Sequence, residues 1–462
     1  MIIADFKPVL FDGAYKKGEW ALDRYLEKGG YAAAKKVLAM PRDPNTRNVP
    51  SVIEEVKKGG LRGRGGAGFP TGMKWSFVDY KSNKQRYLAV NFDESEPGTC
   101  KDRVVGTYNP HMIIEGCLIA MHACGIENAY IYIRGEFVEV FDHLTKACAE
   151  AYKAGYLGKN VLGSGHAFHV TPHRGAGAYI CGEETGLLSS LEGDRGYPKV
   201  KPPFPAVEGA WRSPTVVNNA STLASLPALI NMGADKYMMV GAKPGPDGQM
   251  QKNNSPGSQV YCLSGHVKRP NNYEHPMNLT MRELVFDPRF GGGMKDDIPI
   301  KAVIPGGSSM PLMRYDGKSY IGTNGKEITD NLDLEMSFDE VRKAGSLLGS
   351  AAVIVMNERT CMVSALYNLI RFYHHESCGQ CTPCREGSGW LEKIITKIYR
   401  GQAKPGDFER LHSVSTQMSG TTICLLADSV AMPTGAFVTK FKEEFRYFCE
   451  HGKSMIPNPI RL

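Results

Sequence analysis

Arg86-Tyr87-Leu88-Ala89-Val90 runs without a break into Asn91-Phe92-Asp93-Glu94-Ser95-Glu96-Pro97-Gly98-Thr99. The first five residues read as a β-strand, and the next nine as a loop rich in carboxylates. Open α/β sheets bind ligands in loops at the carboxyl ends of their strands, so this junction is a candidate ligand site. Pro97-Gly98 is also an ordinary turn signal, and a solvated turn is the plain alternative. Downstream the pattern repeats. Pro110 starts an apolar helix, Met112 to Cys124, closed by Gly125; a second strand follows at Ala129-Tyr130-Ile131-Tyr132-Ile133, and a second helix runs from Phe137 to about Ala154 before Gly155. A third unit carries Phe168-His169-Val170, then Gly175-Ala176-Gly177-Ala178-Tyr179-Ile180-Cys181-Gly182-Glu183-Glu184-Thr185-Gly186, and a helix ending near Gly193. Strands alternating with helices predict a parallel sheet.

Upstream lies Leu61-Arg62-Gly63-Arg64-Gly65-Gly66-Ala67-Gly68-Phe69-Pro70-Thr71-Gly72-Met73-Lys74-Trp75, with five glycines between Gly63 and Gly72. Glycines allow close backbone approach to a ligand, and Arg62, Arg64 and Lys74 make the surroundings cationic, a combination suited to a phosphate-bearing cofactor. Gly63, Gly65 and Gly68 match G-x-G-x-x-G literally. The dinucleotide fingerprint needs a strand before that motif, whereas Ser51 to Lys58 reads as a helix, with Pro50 at its start, Val52, Ile53 and Val56 on one face, and Gly59-Gly60 as its stop.

Length and composition bound the rest. A chain of 462 residues exceeds one ordinary core, and 22% charged with 42% hydrophobic residues describes a soluble globular protein. The weakly polar run Ala344 to Met356 is too short to span a bilayer. Met1-Ile2-Ile3-Ala4-Asp5-Phe6-Lys7 has neither a signal-peptide nor a transit pattern, which predicts a cytoplasmic location. A net charge of +7 suits anionic cofactors, acidic neighbouring subunits or weak nucleic-acid contact alike.

Residues before about 58 read as a helical arm, with Trp20 to Leu26 and Tyr31 to Leu38 near helical spacing. Tyr197 to Pro205 is too rich in proline for regular structure. Trp211 to Asn219 leads into a helix from Ala220 to Ile230, Gly241 to Ser258 reads as a linker or exposed loop, and Gln259 to Met313 as a small α+β module. From Ser337 the pattern is helical, with helices at Ala365 to His375, Trp390 to Tyr399, Asp407 to Met418 and Phe437 to His451, and cysteines in the connections.

Three of the twelve cysteines form C-x-x-C-x-x-C, at Cys378, Cys381 and Cys384, and Cys424 lies downstream. Three close thiolates with a remote fourth suit a [4Fe-4S] cubane. Zinc is the competitor, although its sites usually arrive as two separate pairs. Cys117, Cys124 and Cys148 fall on apolar helix faces and read as packed hydrophobes, as does Cys181 against the sheet. His173, His374 and His375 read as packing or surface residues.

Gly63 to Trp75, Asn91 to Gly98, Tyr179 to Thr185 and Ser377-Cys378-Gly379-Gln380-Cys381-Thr382-Pro383-Cys384-Arg385-Glu386-Gly387 together resemble the flavin-bearing, NADH-oxidising subunit of respiratory complex I. Leu263 to Pro270 and Ile304 to Ser309 resemble the family's soluble-ligand-binding β-grasp module. The resemblance implies an α/β fold: an N-terminal helical arm (1–58), a Rossmann-like FMN- and NADH-binding domain (59–235), a small α+β ubiquitin-like β-grasp module (236–331), and a C-terminal helical bundle with a [4Fe-4S] cluster (332–462). By position it assigns FMN to Gly63, Arg64, Gly65, Gly66, Lys74, Asn91, Asp93, Glu94, Tyr179, Gly182, Glu183, Asn218, Asn219 and Thr222. NADH falls to Phe69, Phe77, Glu96, Glu184, Lys201 and Phe204, and the cluster to Cys378, Cys381, Cys384 and Cys424.

The assignments are chemically sensible. Glycine amides with Arg64 or Lys74 suit a phosphate, while Asp93, Glu94, Glu96 and Glu184 suit hydroxyls and amide donors. Phe69, Phe77 and Phe204 offer flat faces to adenine, with core packing as their alternative. Asn218-Asn219 also reads as a helix cap. The family commonly has Ile-Cys-Ala-Leu-Gly-Asp around the fourth ligand, and this chain has Ile423-Cys424-Leu425-Leu426-Ala427-Asp428.

The implied chemistry is hydride transfer from NADH to FMN followed by single-electron delivery to the cluster, with no protein nucleophile. Implied partners are a small [2Fe-2S] subunit and a larger iron-sulfur subunit of an NADH:quinone oxidoreductase at the cytoplasmic face of the inner membrane, with membrane contact only through the complex and no nucleic acid. Two alternatives stand beside this reading. One is the diaphorase subunit of an NAD-linked hydrogenase or formate dehydrogenase; the other is a zinc-stabilised nucleic-acid-binding scaffold.

Overall fold

The computed structural model describes residues 7–460 except 17, 246, 318–319, 322–326 and 329–331. Residues 1–6, part of the segment read for a targeting signal, lie outside the described residues. The chain divides into two compact units. The first comprises Met1–Ser95, Cys100–Val260 and Glu274–Asn278; the second comprises Glu96–Thr99, Tyr261–Tyr273 and Leu279–Leu462.

The first unit is built on a four-stranded sheet of β1 (Tyr87–Phe92), β2 (Asn128–Ile133), β3 (His169–Arg174) and β4 (Thr215–Asn219), in the order β3-β2-β1-β4. All neighbours are parallel, as the strand-helix alternation predicts. The chain moves outward from β1 through β2 to β3 and then returns to the other side of β1 as β4. The strand order thus reverses beside β1, with β2 on one side and β4 on the other, and such a switch point is where these sheets hold ligands. Asn91 on β1 stands directly beside Asn219 on β4 in the register.

Pro110–Cys124 is buried around nearly its whole circumference, as expected of a helix apolar on every face. A side chain at Gly116 would place its Cβ 2.1 Å from the Leu223 carbonyl oxygen, so this glycine permits a close crossing with the Ala220–Ala224 helix. The predicted helix before the glycine loop is Pro50–Gly59; it buries Val52, Ile53 and Val56 and ends on Gly60 in the left-handed region. The loop itself is closed like a hairpin, with Gly63 N–H on the Phe69 carbonyl at 2.9 Å and Thr71 N–H on the Leu61 carbonyl at 2.8 Å. No strand enters it, so the fingerprint is absent here for the reason its flanks gave.

The second unit contains most of a five-stranded sheet: β5 (Ser258–Gly265), β6 (Asn271–Pro276), β7 (Ile300–Ile304), β8 (Met313–Arg314) and β9 (Ala352–Asn357), in the order β8-β7-β9-β5-β6. β9 is parallel to β5 and antiparallel to β7. Helices Met362–Glu376, Thr382–Tyr399, Asp407–Met418, Leu426–Lys440 and Lys442–His451 follow.

Several elements depart from the sequence expectation. The stretch from Ser337 contains strand β9, and the approach to Ala220 contains strand β4. Lys101–Tyr108 is an unanticipated helix. Thr382–Tyr399 begins eight residues before the expected Trp390, because Gly387 and Gly389 hide its first turns. Gly387 is there for packing: a Cβ would lie 2.5 Å from Met418 Sδ. Leu426–Lys440 continues through Pro433, which argues against a helix on sequence grounds.

Candidate functional site at the switch point and the cysteine loops

Asn91, Asp93, Gly182 and Asn219 meet around the carboxyl end of β1. The Asn91 side chain donates to the Gly182 carbonyl at 2.8 Å and accepts from Asp93 N–H at 3.1 Å, tying the acidic loop to the third unit's loop. A Cβ on Gly182 would lie 3.4 Å from Asp93 Oδ2, so the two loops meet there in ordinary contact.

The Glu94 carboxylate turns inward onto the start of the Lys101–Tyr108 helix, accepting from Asp102 N–H at 2.8 Å and Arg103 N–H at 2.9 Å. It is buried, with Lys101 Nζ 3.8 Å away and Arg134 donating to its backbone carbonyl. Burial, assisted by the neighbouring Asp102 carboxylate, pushes the Glu94 carboxyl up to about 8. Its side chain is thus engaged by protein amides.

On β4, Trp75 Nε1 donates to Asn218 Oδ1 at 2.9 Å. Asn219 caps the Ala220–Ala224 helix through Oδ1, on Ser221 N–H at 3.0 Å and Thr222 N–H at 3.4 Å. The capping role read from sequence therefore holds for Asn219, while Asn218 takes an indole.

The glycine loop sits on this corner. Arg64 N–H donates to Thr222 Oγ1 at 2.8 Å, and a Cβ on Gly65 would lie 3.0 Å from Asn219 Cβ. Gly66, at φ +143°, faces open space. The Arg64 guanidinium points away into the protein, donating to the carbonyls of Arg62, Pro256 and Ser258. It is therefore committed to carbonyls. Lys74 Nζ lies 3.1 Å from the Val217 carbonyl and 3.3 Å from Glu184 Oε2.

The third loop is a short 3₁₀ turn, Tyr179–Gly182, leading into the Glu184–Leu191 helix. Glu183 caps that helix on Thr185 N–H and Gly186 N–H. Lys201 Nζ lies 2.8 Å from both Glu183 and Glu184. Burial acts to raise the Glu184 carboxyl, but Lys74 and Lys201 outweigh it and hold the group below its ordinary value. Burial likewise acts against the Lys201 ammonium, and the two glutamates raise it overall.

Phe69 and Phe77 are exposed with ring centroids 6.2 Å apart, and Phe204 is 57% exposed, so none of the three packs in a core. Glu96 belongs to the second unit, where Ser308 Oγ (3.1 Å), Ser309 N–H (2.8 Å) and Tyr373 OH (3.3 Å) donate to it.

Cys378 follows the Met362–Glu376 helix, Cys381 is the N-cap of Thr382–Tyr399, and Cys384 is buried in that helix's first turn rather than in a connecting loop. Cys424 immediately precedes Leu425, the N-cap of Leu426–Lys440. Burial raises the Cys384 thiol, Ser377 Oγ at 3.3 Å opposes this, and the nearby Cys378 and Cys381 add to the rise. Among the described residues no three His, Cys, Asp or Glu side chains converge as ligands of a single ion would. A cubane takes each thiolate on a separate iron and does not require that convergence. Leu425 is 74% exposed, Ala427 is buried, and Asp428 accepts from Ser419 Oγ and Gly420 N–H. The departure from the family pattern thus puts an apolar side chain in solvent beside Cys424. Cys117, Cys124 and Cys148 are buried as expected, and burial pushes the latter two thiols up to about 12.

Residues 56–228 match the family model for the Nuo51 FMN-binding domain, and residues 364–448 match the NADH-ubiquinone oxidoreductase-F iron-sulfur binding region. An F subunit of NADH-quinone oxidoreductase from Rhizobium meliloti is 45% identical over 95% of this chain and 97% of its own. The F subunit of NADH-quinone oxidoreductase from Rickettsia typhi is 44% identical over 94% of this chain and 96% of its own.

The chain belongs to the family of NADH-quinone oxidoreductase F subunits.

A solved NAD+-reducing [NiFe]-hydrogenase in the air-oxidized state also matches, with a TM-score of 0.74 and 30% identity; the match covers 90% of this chain and 66% of that one. The higher identity and nearly end-to-end matches of the F-subunit relatives favour them over the diaphorase alternative. The iron-sulfur match likewise favours a cluster over zinc within residues 364–448. Lys101 and Asp102 are buried polar residues at this corner that sequence reasoning missed, because they sit in a helix that the sequence pattern concealed.

Proposed function

We propose that this family member oxidises NADH at an FMN held at the β1/β4 switch point and passes electrons to a [4Fe-4S] cluster on Cys378, Cys381, Cys384 and Cys424. The observation that carries this reading is the meeting of Asn91, Asn219 and the Gly63–Gly66 loop at one corner of a parallel sheet. That corner falls within the stretch matching an FMN-binding domain. The residues fit the cofactor. Gly65 and Gly66 leave a cradle that a side chain would close or strain, Lys74 supplies a cation, and Asn91, Asn218 and Asn219 supply fixed amides.

FMN, when bound, supplies a carrier that takes two electrons from NADH together and releases them one at a time, as a one-electron cluster requires. The chain's own residues bind and orient. Glycine-loop amides and Lys74 hold the phosphate. Asp93, Tyr179, Gly182 and Glu183, with the Glu94 backbone and Thr222, line the flavin. Phe69, Phe77 and Phe204 offer faces to adenine, and Glu184 and Lys201 bind the remaining polar groups of NADH.

Among the described residues no helix is long and apolar enough to cross a membrane. Association with the cytoplasmic face of the inner membrane then proceeds through partner subunits, a small [2Fe-2S] protein and a larger iron-sulfur protein. The test is an anaerobic NADH titration, following flavin absorbance and low-temperature EPR. Flavin bleaching with a [4Fe-4S] signal, under NADH or under dithionite, is expected. Protein that takes up neither flavin nor iron on reconstitution overturns the reading.

A further inference from the structure

Asn219 has its amide orientation set from both sides. Oδ1 faces two backbone N–H donors, those of Ser221 and Thr222, and Nδ2 faces two acceptors, Asp102 Oδ2 at 2.7 Å and the Asn91 carbonyl at 3.4 Å. A flipped amide would oppose donor to donor and acceptor to acceptor. The nearer acceptor is charged and 2% exposed. The other oxygen of Asp102 accepts from Ser221 N–H at 3.1 Å and from Ser221 Oγ. Lys101 Nζ lies 2.6 Å from Asp102, itself 1% exposed, and provides the counter-ion that a buried carboxylate needs. Asn219 in turn is the surface on which Gly65 rests.

We propose that Asp102, with Lys101 as its buried counter-ion, is a positioning residue of the flavin site: it locks the Asn219 amide and so fixes the seat of the glycine loop. The inference rests on the FMN reading above and adds a residue to it. A neutral side chain at position 102 would present no fixed acceptor to Asn219, and an amide there can set donor against donor.

The test compares flavin release on dilution of full-length holoprotein, read by FMN fluorescence, with urea unfolding midpoints. Asp102→Asn is expected to weaken FMN retention by about tenfold or more, the loss of one charge-assisted hydrogen bond, and to change the visible circular dichroism of the bound flavin. Ser221→Ala removes a hydrogen bond to Asp102 without touching the Asn219 amide. It is expected to lower the unfolding midpoint while keeping FMN retention within about twofold of wild type. Equal FMN retention in Asp102→Asn and wild type overturns the proposal, as does equal loss in both variants. Should Asp102→Asn not fold, Asp102→Glu keeps a buried charge beside Lys101 while moving the carboxylate off the Asn219 amide; it is expected to weaken FMN retention several-fold, and retention equal to wild type overturns the proposal. A wild-type chain that holds no FMN sinks the functional reading itself and is distinct from all of these outcomes.

Discussion

Replacing Glu94 by Gln should change how the stability of this protein responds to pH. Glu94 is buried against Asp102, with Lys101, Arg134 and the amides of Asp102 and Arg103 as its other neighbours. Its carboxyl stands at about 8, against an ordinary value of 4.5. Between those values the folded protein holds a proton that the unfolded chain releases, so stability must fall as pH rises through the window. The contribution is complete below about 4.5 and lost above about 8. Taking about 1.4 kcal/mol per pH unit in mid-window and less near its upper end, wild type should lose about 2 kcal/mol between pH 6 and pH 8. Glu94→Gln lacks this proton and should lose much less, although one of its two capping amides goes without an acceptor and its stability at pH 6 is lower. Urea unfolding of both proteins at matched flavin loading, at several pH values across the range, measures the difference. Parallel pH dependences would show that Glu94 is ionised in the folded protein and would refute the argument.

Other outcomes follow from neighbouring contacts. Trp75→Phe removes the indole donor to buried Asn218 Oδ1 and shrinks a fully buried side chain; it should cost about 2–4 kcal/mol in thermal or urea unfolding. Lys201→Met leaves Glu183 and Glu184 without their shared cation. Because the site is partly exposed, a several-fold rise in KM for NADH is expected in a ferricyanide assay, with a smaller change in kcat. Cys424→Ser should abolish the [4Fe-4S] EPR signal under dithionite while FMN is retained, and an unchanged cluster signal would remove Cys424 from the ligand set.

The first unit was readable because its strands and helices follow one another with clear stops. Gly125 and Gly60 end their helices in the left-handed region, where glycine is the favoured residue. β4 was less visible: Thr215–Asn219 is five residues long and ends in two asparagines, poor strand formers whose side chains are used at the switch point. β9 was hidden within a run whose length suits a buried strand or a buried helix equally, a choice that only its neighbours in the sheet decide. At the site, residue types were legible and directions were not. Arg64 and Lys74 look alike as cations beside glycines, yet the guanidinium is drawn into carbonyls and the ammonium remains beside Glu184. The same holds for Glu94, whose sequence context shows a carboxylate but not the helix start that captures it. Asp102 gave no signal because its role depends on a partner 117 positions away.

The strand order of the second sheet bears on how the chain is made. Its central strand, β9, is the last of the five to leave the ribosome, and both its neighbours precede it by tens of residues. Until residue 357 has emerged, β5 and β7 each present an open edge with unsatisfied backbone groups, the kind of surface that pairs with the wrong chain. The nascent protein therefore passes through a vulnerable interval that ends when β9 inserts. Chaperone contact, or a slowing of translation after residue 304, would matter most within that interval.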